Sequence, residues 1–271
     1  GILSGFLGEN AGDWFNLINQ DLVRIGIANS DTHDRRFTQT SARTLIASDI
    51  TNPAELSSAA ETLAANALAG KAIGTNAPFL LLHASSVYQG QNQEAGLNID
   101  NSITLSADAG SSVELTATVI TPAWAGVDAL EFYINNQPER TTEAGTAARY
   151  RVCPNVRIEN GDPAWTSEQV VVNESVPGAA RNEISVTLTL ENITEDTWLV
   201  AMARGTDGVS EPLFPVLPAS LNRDGNSTLE DLTDGNLGEA GTPAFAFTNP
   251  LFIDVNGDGW QAPGVSNAAC P

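Results

Sequence analysis

Ser112-Val113-Glu114-Leu115-Thr116-Ala117-Thr118-Val119 and Glu183-Ile184-Ser185-Val186-Thr187-Leu188-Thr189-Leu190 decide the fold of most of this chain. Both runs alternate polar and apolar residues. Successive residues of a strand point to opposite faces, so each run makes a strand with one buried and one wet face. Ala129 to Ile134 repeats the pattern over a shorter length, and Thr197 to Ala203 repeats it loosely. Turn formers such as Asn135-Asn136 and Gly205-Thr206-Asp207-Gly208 part the runs, and no helical pattern intervenes. Strands in such succession predict an antiparallel β-sandwich over residues 79–271.

Upstream the pattern is different, and residues 1–78 read as α/β. A helix-compatible segment, Asp13 to Asp21, precedes Leu22-Val23-Arg24-Ile25-Gly26-Ile27-Ala28, whose apolar, β-branched character predicts a strand buried on both faces. Asn52-Pro53-Ala54-Glu55 carries an N-cap residue, Pro at the first helical position and an early acid. It predicts a helix through the Ala/Leu-rich run to Ala69, closed by Gly70.

The charge balance narrows the partners. The 271 residues hold 33 acidic against 12 basic side chains, a formal net charge of −21, and Lys71 is the only lysine. Nucleic acid and anionic membrane surfaces both call for clustered Lys and Arg, so neither is expected, whereas divalent cations suit such a surface. No apolar run approaches the length of a membrane span. The chain opens on Gly1 without a leader, which suggests that polypeptide upstream is missing. Cys153 and Cys270 are too few and too far apart for a zinc ribbon or a redox pair. They are either two buried thiols or one disulfide, and the disulfide would place the chain in a secreted or periplasmic compartment.

The residues with most chemistry are Ala28-Asn29-Ser30-Asp31-Thr32-His33-Asp34, where a carboxylate and an imidazole stand two residues apart after the expected strand. Asp31 and His33 fall on one side if strand geometry persists, so one cation can take both; the alternative is a loop with Asp31 capping a turn. The string Asn-Ser-Asp-Thr-His resembles the late metal-ligand motif of the polymerase and histidinol phosphatase (PHP) superfamily. The order of segments is similar to the CehA/McbA-type metallohydrolases of that superfamily. Supporting pieces are Asp13 to Gln20, Ala42-Arg43-Thr44-Leu45-Ile46, Gly74-Thr75-Asn76-Ala77-Pro78-Phe79, Pro122 to Asp128 and Phe247 to Gly259.

The resemblance implies that residues 1–78 are the C-terminal fragment of a PHP-type β/α barrel, followed by the antiparallel sandwich. It implies a bacterial hydrolase in which metal-bound hydroxide attacks a small carboxylic ester or phosphoester, with Zn, Mn or Fe held in part by Asp31 and His33. Arg43 would contact the anionic substrate, since a guanidinium forks onto carboxylate or phosphate. The family's His-x-His is absent and only His33 and His83 occur, so the other ligands would come from upstream polypeptide or another chain, and this chain alone would be inactive. His83, within Leu80-Leu81-Leu82-His83, reads as a structural strand-end histidine.

A second metal candidate is Asp254-Val255-Asn256-Gly257-Asp258-Gly259-Trp260, the start of a calcium loop, with Asp254, Asn256 and Asp258 offering side-chain oxygens and Trp260 its carbonyl. Val265 stands where an EF-hand would place its Glu, and a metal-free Asx-turn is the alternative. Asn222, Asp224 and Asn226 form a weaker relative. Phe245 to Ile253 reads as the strand leading into the loop, Trp260 should pack on the sandwich, and Cys270 would tie the tail back to Cys153. The competing function is a non-catalytic, secreted β-sandwich module for adhesion or assembly, with a calcium-braced loop.

Overall fold

The computed structural model describes residues 10–29, 42–98, 101–141, 149–172, 180–205, 243–263, 267–268 and 270. Two sheets face each other. The smaller is built from β3 (Phe79–Tyr88), β4 (Gln91–Gly96), β6 (Ser111–Pro122), β12 (Trp165–Val171) and β13 (Ala180–Ile193), in the order β12-β13-β6-β3-β4 with every neighbour antiparallel. The larger has eight strands. Its path runs β1 (Arg43–Ile46), β2 (Ala72–Thr75), β15 (Phe245–Thr248), β14 (Thr197–Arg204), β16 (Leu251–Val255) and β5 (Thr104–Ala107). β7 (Ala129–Ile134) pairs with β14 and carries β11 (Val156–Glu159) beyond it.

The core between the sheets takes Leu80, Leu82, Val113, Leu115 and Val119 from the small sheet and Leu105, Leu130, Phe132, Leu199 and Ile253 from the large one. The runs 112–119 and 183–190 fall inside β6 and β13, and their alternation is that of strands with one dry face.

β15 and β16 are two halves of one run. Met202 pairs with Phe247 but Leu199 with Leu251, so the register slips by one residue at Asn249-Pro250. Pro250 has no N–H for a ladder, and a bulge accommodates it. The Thr248 hydroxyl accepts from the Ala201 N–H (2.9 Å) and keeps that donor paired. The bulge lets one run serve two neighbours, β2 antiparallel beyond β15 and β5 parallel beyond β16.

The expected barrel fragment is not present. β1 and β2 are antiparallel partners and join β15 antiparallel, so both are strands of the large sandwich sheet, whereas a β/α barrel needs parallel strands. The expected helix at 13–21 is α1 (Ala11–Ile18), and that at 53–69 is a 3-10 turn (Pro53–Glu55) followed by α2 (Ala60–Leu68). The cap is as read: the Asn52 side chain accepts from the Ala54 N–H (3.0 Å), and Gly70 ends the helical region with φ +80.

Residues 22–28 belong to no helix or ladder, and Leu22 and Ile27 are 44% and 62% exposed. Side chains satisfy this backbone instead. Asn249 accepts from the Gly26 N–H (2.7 Å) and donates to the Gly26 carbonyl (3.2 Å), and the Thr44 hydroxyl accepts from the Ala28 N–H and donates to the Ala28 carbonyl (both 2.9 Å). The segment and α1 together cover the outer face of the large sheet. Trp14, Phe15 and Ile18 pack there on Tyr133, Trp198, Met202 and Phe247. A Cβ on Gly74 would lie 2.2 Å from the Phe247 ring, which is why that strand position carries no side chain.

Cys153 and Cys270 are joined, with Cα atoms 5.1 Å apart across 117 residues of sequence. β9 (Glu139–Thr141) and β10 (Arg149–Arg151) form a separate antiparallel pair, and β17 (Asn267–Ala268) pairs with β8 (Asn136–Gln137) beside the bridge, so the tail is bound back to the region carrying Cys153.

Candidate functional site

Asp31 and His33 lie outside the described residues, as do Asn222, Asp224 and Asn226. The flanks of the Asp31 to His33 stretch are described. The double hydrogen bond between Ala28 and Thr44 fastens the two sides to one another at the edge of the large sheet. Arg43, next to this fastening, is exposed and donates to the Asn76 carbonyl (3.4 Å). Asn76 is itself fixed: its amide donates to the Pro243 carbonyl (2.8 Å) and its Oδ1 accepts from the Phe245 N–H (2.8 Å). The Gly74 to Phe79 motif thus locks the turn after β2 to the strand beside it. Ala77 keeps a negative φ, so a glycine is not required there.

The Asp254 to Trp260 stretch leaves β16 as a tight loop with positive φ at Asn256 (74), Gly257 (68) and Gly259 (103). Its stems are pinned from outside. Both oxygens of Asp196 accept backbone N–H groups, from Val255 (2.8 Å) and Gln261 (2.6 Å), and the Tyr88 hydroxyl donates to the Asn256 carbonyl (2.5 Å). Asp254 Oδ2 accepts from the Gly259 N–H (3.1 Å). Trp260 packs on Phe252 with ring centroids 4.5 Å apart, as the sequence implied. Asn256 and Asp258 are exposed.

His83 is in the middle of β3 rather than at a strand end, with Nε2 3.7 Å from Glu94. Among the described residues no three His, Cys, Asp or Glu side chains converge as a metal-holding group. No described helix is long and apolar enough to cross a membrane.

The sequence reading missed one charged group. Glu131, with its side chain 1% exposed on β7, meets Arg157 Nη1 at 2.7 Å and Arg204 Nη1 at 3.0 Å and accepts from the Tyr133 hydroxyl (2.9 Å). Burial, then the Glu131 charge, pushes the Tyr133 phenol well above its usual range. A lone acid inside Ala129 to Ile134 was the available signal. Its partners come from register, Arg157 directly across on β11 and Arg204 two residues past the Glu131 partner on β14. With all its oxygens engaged, Glu131 is a structural brace.

Comparison with family models, with curated proteins and with solved structures finds no match to this chain.

Proposed function

We propose that the chain is the C-terminal part of an extracytoplasmic metal-dependent hydrolase acting on a small carboxylic ester or phosphoester. The sandwich would hold the Asp31-x-His33 stretch by its flanks and offer it to a metal centre whose other ligands lie on upstream polypeptide. The observation that carries this reading is the Ala28–Thr44 fastening, which sets the two ends of that stretch side by side with the exposed Arg43 guanidinium adjacent. Arg43 can receive the negative charge of a substrate or leaving group, and a bidentate fork also orients it. Bound divalent metals would supply Lewis-acid activation of water. The Asp31-x-His33 pair and the five family-like segments support the assignment, and the Cys153–Cys270 bridge fits an oxidising compartment.

In the full-length polypeptide, Asp31→Ala and His33→Ala should each abolish turnover of an ester and phosphoester panel in Mn or Zn and lower the bound metal. The isolated 271-residue chain should show no turnover. Unchanged activity in both variants would end the proposal.

A further inference from the structure

Asp254 is 6% exposed, and only one of its carboxylate oxygens is used. Oδ1 is buried and has no hydrogen-bond partner. Buried carboxylate oxygens are ordinarily paired or ligate a cation, because removing them from water is otherwise uncompensated. The carboxylate faces the loop, since its other oxygen is held by the Gly259 amide five residues on. We propose that the loop Asp254 to Trp260 binds a calcium ion, with Asp254 Oδ1 as its buried ligand and the Asn256 and Asp258 side chains and the Trp260 carbonyl as the others.

The surroundings support a cation here. Asp196 and Tyr88 are spent on the stems, so they fix the frame without supplying ligands. Asn256 and Asp258 lie at alternate positions of a backbone turned by positive φ at Asn256, Gly257 and Gly259. The donors are all oxygen and include amide and carbonyl, which selects calcium over zinc or copper, and an irregular shell finished by water disfavours magnesium. Two carboxylates with water completing the shell put the site in the weak, extracellular class, with a dissociation constant on the order of 0.1–1 mM. The ion would lock the exit of β16 and thereby its parallel pairing with β5.

The test uses the 271-residue chain freed of metal with EDTA and requires no hydrolase assay, so its outcome is separate from the catalytic reading. Calcium at 100 times its dissociation constant should raise the Tm by about 5–10 °C, and magnesium at equal ionic strength should not. Calorimetric titration should give one site. Asp258→Ala, an exposed position that leaves the fold intact, should abolish the shift, and Asp254→Asn should do the same. Terbium should show emission sensitised by tryptophan excitation in the parent chain, lost in Asp258→Ala. An unmoved melting curve, an equal shift with magnesium, or a shift that survives Asp258→Ala would overturn the site and leave a turn whose response is general screening of the −21 charge.

Discussion

The two sheets share one core and differ on their far sides. The small sheet keeps an open outer face, where Glu114, Thr116, Thr118 and Thr187 alternate with the buried Val113, Leu115, Ala117 and Val186. The large sheet is covered on both faces at its centre, where β14 buries seven residues in succession, Thr197 to Ala203. Continuous burial of this kind is usual for parallel sheets between helix layers, yet β14 is antiparallel to β7, β15 and β16. In β14 the apolar run reports two covered faces and not the direction of the neighbours. Leu22 to Ala28 is as apolar but is not covered in this way, since Leu22 and Ile27 are exposed and the segment joins no ladder.

Trp198 on the covered face gives the largest test of that contrast. It is fully buried against Phe15, and its Nε1 donates to Asn19 Oδ1 (2.8 Å). Trp198→Ala should cost about 3–5 kcal/mol in urea unfolding. A loss under about 1 kcal/mol would mean that α1 does not seal the outer face.

Glu131→Ala should cost about 3 kcal/mol, because it takes the carboxylate from Arg204 and from the Tyr133 hydroxyl and leaves Arg157 with Glu159 alone. The alkaline limb of stability sharpens this. A phenol whose folded pKa is raised contributes stability that is complete below its unfolded value near 10 and is lost as pH rises through the folded value. Stability should therefore hold across neutral pH and fall above about pH 10, with a shallower fall in Tyr133→Phe. An identical alkaline limb in that variant would remove Tyr133 as its source.

Thr187→Ala marks the small end. Its hydroxyl meets only the Thr116 hydroxyl (3.4 Å) on the open face, so the change should stay within about 0.5 kcal/mol. A cost comparable to Trp198→Ala would show that this face is covered after all.

Legibility in the sequence followed the same division. The strands with one wet face were readable from their alternation, and the Asn52 cap and Gly70 stop were readable because their partners lie within a few residues. Leu22 to Ala28 was misread because its backbone partners are the side chains of Thr44 and Asn249, the latter 223 residues from Gly26 and outside any local window. The resemblance then attached a barrel to a stretch that the antiparallel β1–β2–β15 ladder assigns to the sandwich. Of the candidate site residues, Cys153 and Cys270 were legible because no other thiol competes, and the tight turn at Asp254 to Trp260 was legible from its Asn and Gly spacing. The Glu131 brace was not, since only register brings Arg157 and Arg204 to it.

The bulge at Asn249-Pro250 also sets an order of assembly during synthesis. β2 meets β15 only when residues 245–248 exist, and the Asn76 N–H waits 169 residues for the Phe245 carbonyl. At translation rates of about 5–20 residues per second that delay is roughly 10–30 s. Through it, Ala72 to Thr75 lack the strand beside which they finally rest and Trp14 lacks Phe247, while β3, β4 and β6 already have one another. The small sheet can thus form on the ribosome, and the large one is sealed from its middle only when β15 and β16 emerge, after every strand of the small sheet.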